Sequence, residues 1–177
     1  MKTATALLLM APLWAQLPVK SAAVVTSTAK PTTMRETLTQ LEKRMDNKIS
    51  MADGADPFNI LGLTRGLYLE GYGAVFTTEL DLVQTPVPTP FQQVIPKQQA
   101  IKIHQRKLDH LPLLEKTLRE MWQDAAAALI STPDTDQIVI AVRLLYQPSW
   151  EDTKGLPAQI LLKGTRKGSP EIHVDDK

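Results

Sequence analysis

The chain has 177 residues, 20 of them basic and 19 acidic, and it contains no cysteine. That length suits one domain with a real hydrophobic core, and a net charge of +1 gives no electrostatic reason to bind nucleic acid or an anionic membrane. The missing cysteine excludes disulfides, thiolate metal sites, thiol catalysis and a lipid anchor on a cleavage-site cysteine.

Lys2 lies in a short polar start, and Ala6 to Val19 (ALLLMAPLWAQLPV) is uncharged and almost purely apolar. Ser21-Ala22-Ala23 follows with the small residues that a signal peptidase needs. This is the layout of a secretory signal peptide over residues 1–23, with Ser21 and Ala23 at the recognition positions and cleavage after Ala23. Cleavage after Ala15 would place bulky Leu13 at the outer recognition position. The apolar run is shorter than the roughly 20 residues of a membrane-spanning helix, and Pro12 and Pro18 break it. Cleavage leaves 154 residues with 18 basic and 19 acidic side chains and no stable membrane span. An exported domain without disulfides must be held by its core, which points to a bacterial periplasm or exterior. Neither Asn47 nor Asn59 begins an N-glycosylation sequon.

Residues 24–31 (VVTSTAKP) read as a linker ahead of a single domain over 32–167. Thr33-Met34-Arg35-Glu36 has the form of a capping box. Met34, Leu38, Leu41, Met45 and Ile49 make a narrow apolar stripe on a helix from about 33 to 51, which the turn-forming Asp53-Gly54-Ala55-Asp56-Pro57 ends. That helix could dock on a partner, but covering its own sheet is the simpler use of the stripe. Residues 63–83 are β-rich. A short strand at about 64–70 leads into Gly71-Tyr72-Gly73, read as a tight turn or bulge. A longer strand follows, with Ala74, Phe76, Thr78, Leu80 and Leu82 on one face and Val75, Thr77, Glu79, Asp81 and Val83 on the other.

Residues 84–96 (QTPVPTPFQQVIP) carry four prolines and should form an extended loop. A helical region spans about 97–131, with Ile101, His104, Leu108, Leu111, Leu118, Trp122, Ala125 and Leu129 as its seam. Pro112 either kinks one helix or opens a second one capped by Asp109. Two strands close the domain. One has Ile138, Ile140, Val142, Leu144 and Tyr146 on its apolar face. The other, at about 158–167, alternates Ile160 and Leu162 with Leu161 and Lys163. Residues 168–177 read as a polar, frayed tail. The resulting fold class is α+β, an antiparallel or mixed sheet of about four strands with helices packed on one face, in the order α-β-β-α-β-β.

The run from Arg65 to Phe76 contains Tyr68-Leu69-Glu70-Gly71-Tyr72-Gly73-Ala74-Val75-Phe76, a Y-x-x-G-Y-G-x-x-F pattern. It resembles a segment of uncharacterised exported bacterial proteins, in which this pattern precedes an alternating strand. The run covers twelve of the 177 residues, and the resemblance implies export but no activity.

The chemistry-bearing residues are few. Glu70, Glu79 and Asp81 are the carboxylates that a cell-envelope hydrolase would use. Glu79 and Asp81 should share a strand face about 7 Å apart, where Arg143 and Lys163 would neutralise them across strands. His104 and His110 are six apart, whereas zinc sites on one helix use three or four; no metal or other cofactor is expected. Gly71-Tyr72-Gly73 opens a strand, so it is not a phosphate cradle at a helix N-terminus. Ser50, Ser131, Ser149 and Ser169 lie in no nucleophile motif. Tyr68, Tyr72, Tyr146 and Trp150 flank turns, where they either plug the core ends or rim a ligand site. The expected function is therefore non-enzymatic: a binding or structural module of the cell envelope, with another envelope protein as partner and Arg65, Tyr68, Glu70 and Tyr72 as its surface. The alternatives are the hydrolase and an accessory or inhibitory subunit of an envelope complex.

Overall fold

A computed structural model describes residues 31–86, 95–147 and 149–175, with side chains from residue 34 onward. The proposed leader and residues 24–30 of the linker, and Pro88 and Pro90 of the proline-rich loop, lie outside the described residues, as does the capping side chain of Thr33; Pro31, expected in the linker, begins a helix. Helix α1 (Pro31–Met51) precedes strands β1 (Asn59–Leu69) and β2 (Gly73–Asp81). Helix α2 (Lys97–Ala128) follows, then β3 (Gln137–Leu144), β4 (Gln159–Thr165) and β5 (Glu171–Asp175).

The five strands form one mixed sheet in the order β1-β2-β3-β4-β5. The β2–β3 pair is parallel and every other pair antiparallel. The parallel pair follows from the connection: a long helix crosses between β2 and β3, as parallel neighbours require. The α+β class and the mixed sheet are as expected, but the strand count is not. Residues 171–175, read as a frayed tail, pair with β4 through Ile160↔Val174 and Leu162↔Ile172. Only Ile172 of this strand packs against the core, so its short run carried no visible alternation.

Both helices cover the same face of the sheet. Leu38, Leu41, Met45 and Ile49 of α1 meet Ala74, Phe76 and Leu80 of β2, Ile138, Ile140, Val142 and Leu144 of β3, and Ile160 and Leu162 of β4 in one core. Helix α2 runs unbroken through Pro112, so Asp109 is not a cap; it accepts a hydrogen bond from Gln105 Nε2 at 3.0 Å. The expected seam holds in the second half of α2, where Leu118, Trp122, Ala125 and Leu129 are buried. In the first half the buried residues are Ile103, Lys107, His110 and Leu114, while Ile101 is exposed. The helix is turned so that a lysine and a histidine, not Ile101 and His104, face the core.

Strand β1 explains how α1 is seated. Gly66 N–H donates to Glu42 Oε1 at 2.8 Å, and Thr64 N–H donates to Asp46 Oδ1 at 2.9 Å. Four residues of helix rise about 6 Å and two residues of strand about 6.8 Å, so the two carboxylates match alternate amides along the edge. Arg35 Nη1 completes the clamp by donating to the Gly66 carbonyl at 3.4 Å. The unpaired edge of β1, otherwise a template for another strand, is thus covered by the chain's own helix. Gly66 permits the approach, since a Cβ there would lie 2.7 Å from the Phe76 ring.

Candidate functional site

The turn between β1 and β2 closes through Tyr72 N–H donating to the Leu69 carbonyl at 3.1 Å. Gly73 has φ +131°, and a Cβ there would stand 2.0 Å from the Gln137 carbonyl oxygen. No other residue fits, because β3 begins against this point: Gln137 N–H donates to the Tyr72 carbonyl at 2.8 Å. The glycines thus serve strand pairing, as expected of a sharp backbone turn.

Four residues around this turn carry the expected binding surface, and the structure divides them. Arg65 is exposed on the sheet face that no helix covers, and it has no partner among the described residues. Tyr72 is half-exposed at the turn, with the Lys163 Nζ 6.0 Å from its ring centre. Glu70 is exposed at the turn. Tyr68 faces the covered side, where its hydroxyl donates to Asp136 Oδ2 at 2.7 Å. That bond to a carboxylate, with partial burial, pushes the Tyr68 phenol up to about 12. Tyr68 therefore anchors β1 to the loop before β3.

The three carboxylates of the hydrolase reading stand apart. Glu79 Oε1 accepts from Arg143 Nη1 at 3.2 Å on the uncovered face, the cross-strand pair expected there. Asp81 does not join them. It is buried at the end of β2, 2.6 Å from Lys107 Nζ, and accepts from the Thr85 hydroxyl at 3.0 Å. Lys163 is correspondingly free of Asp81 and lies over Tyr72.

Lys107 and its partner Glu151 are chemistry-bearing groups that sequence reasoning missed. The Lys107 side chain is fully buried, paired with both Asp81 and Glu151, and its Nζ lies 5.0 Å from the Tyr146 ring centre. Glu151 Oε2 also accepts from Gln147 N–H at 2.6 Å, and the Tyr146 hydroxyl donates to the Pro157 carbonyl at 2.6 Å. Burial, then the charges of Asp81 and Glu151, push the Tyr146 phenol well above its ordinary value. Beside this cluster, His110 Nδ1 is 2.8 Å from the Leu82 carbonyl, which makes Nδ1 the protonated nitrogen. His110 Nε2 lies 3.4 Å from Asp56, and Arg106 Nε donates to Asp56 at 2.9 Å. Each charge here has an opposite neighbour, and the lysine is sealed from solvent. The arrangement ties the end of β2, the loop after β3 and α2 together. The signal was available: positions 103, 107, 110, 114, 118, 121 and 125 follow an unbroken 4-3-4-4-3-4 spacing once Lys107 and His110 are allowed in the seam.

His104 is separate, with Nδ1 2.9 Å from the Asp152 carbonyl, and His173 lies on β5. Among the described residues no three His, Asp or Glu side chains are grouped to hold a metal ion, and no helix is long and apolar enough to cross a membrane.

The feature that remains is the uncovered face. Leu61, Leu63, Leu67 and Leu69 of β1 are all exposed, Leu63 at 60% and Leu67 at 57%. The outer surface of α1, by contrast, is polar, with Arg35, Glu36, Gln40, Lys43, Arg44 and Asn47 exposed and the apolar stripe spent on the core. The uncovered face also holds a shallow trough of about 420 Å³, lined by Gly62, Leu63, Arg65, Thr77, Glu79, Ala141 and Arg143 among others. No protein-family model matches the chain, and neither the curated proteins nor the solved structures contain a significant match.

Proposed function

We propose that this chain is a non-enzymatic binding module of the bacterial cell envelope, periplasmic or secreted after cleavage behind Ala23, that works through the uncovered face of its sheet. One observation carries the reading: β1 directs four exposed leucines and an unpartnered arginine to the outside. Contiguous exposed apolar surface on a soluble domain marks an interaction site. Arg65 and Tyr72 keep their place in that surface, joined by Leu63 and Leu67. The leader-like residues 1–23 support the compartment, and another envelope protein is the expected partner. The dispersal of Glu70, Glu79 and Asp81 lends the hydrolase alternative no support, and the polar outer surface of α1 lends none to a subunit docked through that helix.

The test is a comparative pull-down from envelope extract with the chain and its Leu63→Asp/Leu67→Asp double variant as baits. A stoichiometric partner held by the unaltered chain and lost by an equally folded double variant is the expected result. Identical captures by both baits would remove the uncovered face from the account.

A further inference from the structure

We propose that the side chains of Lys107 and Asp81 condense into an amide cross-link, with Glu151 carrying the protons. The site is the buried cluster at the end of β2, and it does not depend on the reading of the open face.

Three acid–base side chains meet there out of reach of water. Lys107 Nζ lies 2.6 Å from Asp81 Oδ1 and also touches Glu151 Oε1; the lysine side chain is 0% exposed and the two carboxylates 5% and 1%. The Asp81 carboxyl carbon is one C–O bond behind its oxygen, so it stands no more than about 3.8 Å from Nζ. Reacting groups held this close have already lost the freedom that a reaction between separate molecules must give up. The Tyr146 ring closes another side, 5.0 Å from Nζ.

The contact differs from an ordinary ion pair. An ammonium has three donors, yet Lys107 Nζ makes no hydrogen bond of regular geometry, and neither does Glu151 Oε1. A sealed cation with unused donors is costly. Condensation removes that cost, because one neutral amide replaces two buried charges.

The surroundings divide the roles of the two carboxylates. Asp81 Oδ2 accepts from the Thr85 hydroxyl at 3.0 Å, which puts a donor on an oxygen that gains charge when nitrogen attacks the carboxyl carbon. Glu151 is held through Oε2, which accepts from Gln147 N–H at 2.6 Å. Its Oε1 has no hydrogen-bond partner and faces Nζ, ready to take a proton. Glu151 removes one ammonium proton, the freed amine adds to the Asp81 carbon, and Glu151 passes protons from nitrogen to Oδ1. The N–C bond forms, the C–Oδ1 bond breaks, and Oδ1 leaves as water with two of the three ammonium protons. The third stays on the amide nitrogen, and Glu151 ends as the carboxylate it was. No oxidant is consumed. The link closes the chain between residues 81 and 107, across the proline-rich loop. In a chain without cysteine, it supplies the constraint on the unfolded state that a disulfide supplies elsewhere.

The experiment is an intact-mass measurement on the denatured full chain, judged against the sequence mass from its observed N-terminus, and then tryptic mapping. The unaltered chain should be lighter by one water, and peptide 66–97 should be joined to peptide 107–116 through Asp81 and Lys107. Lys107→Met and Glu151→Gln should each keep the full sequence mass, with Glu151→Gln retaining the circular dichroism of the unaltered chain. A folded, unaltered chain at full mass would overturn the proposal whatever the variants do. So would a water loss that maps to a succinimide at Asp53-Gly54, or a link from Lys107 to peptide 144–154, which carries Glu151. Glu151→Gln losing water as fast as the unaltered chain would overturn the assignment of Glu151 as proton carrier.

Discussion

The two faces of β1 run opposite to the usual order. Its covered side presents Thr64, Gly66 and Tyr68, and its open side presents Leu63, Arg65, Leu67 and Leu69. In β2 and β3 the order is the ordinary one, with Phe76, Leu80, Ile138, Ile140 and Val142 inside. The difference lies in what each strand meets. Central strands meet apolar helix side chains, and burying those gains about 25 cal/mol for each Å² of apolar surface removed from water. Strand β1 instead meets the carboxylates of α1, which require close backbone approach and hydrogen-bond donors. Small and polar residues serve that contact, and the leucines are left for the other side.

The sharpest contrast between faces is expected at Lys107. Lys107→Met leaves Asp81 and Glu151 buried without their cation, and a loss of about 3–5 kcal/mol should appear in denaturant unfolding. A loss below 1 kcal/mol would mean that the cluster is hydrated and not part of the interior. Next comes Gly73→Ala, which forces a Cβ into β3 at a left-handed backbone; calorimetry should show about 3 kcal/mol lost. The α1 clamp should be weaker. Glu42→Ala strands the Gly66 amide and should cost about 1–2 kcal/mol, with Glu42→Gln recovering most of it by keeping an acceptor.

Tyr68 offers a pH test of the covered side. Its phenol is raised from 10.0 to about 12 in the folded chain, so folding favours the protonated form. The resulting stabilisation is complete below pH 10 and fades as pH rises through about 12. Tyr68→Phe should lose about 1 kcal/mol at neutral pH and show a flatter stability profile between those limits. A profile identical to the unaltered chain would remove the Asp136 bond from the account. The smallest expected effect on stability is on the open face: Leu67→Asp should shift unfolding by less than about 0.5 kcal/mol while abolishing partner capture. A large loss there would mean that the leucines pack, and the two faces would no longer divide stability from binding.

Much of the architecture was legible locally. The stripe of α1, the alternation of β2 and β3 and the glycine turn all follow from helix or strand periods within short windows. Strand β5 was not legible, because it buries little and its pairing belongs to β4. The facing of the first half of α2 was not legible either. Lys107 and His110 occupy core positions only because Asp81, Glu151 and the Leu82 carbonyl come from elements 26 to 44 residues away. Arg65 and Tyr72 were recognisable as surface candidates, whereas Tyr68 one face away was not distinguishable from them.

Sequence alone determined the class, the helix and strand faces dominated by apolar side chains, the glycine requirement at the turn and the exclusion of thiol chemistry, because each depends on a residue's own geometry or a neighbour a few positions away. Tertiary structure alone decided which carboxylates are buried, which edge α1 seals and which face stays open. Those outcomes depend on groups distant in the chain meeting at hydrogen-bond distance, and no local period encodes that meeting.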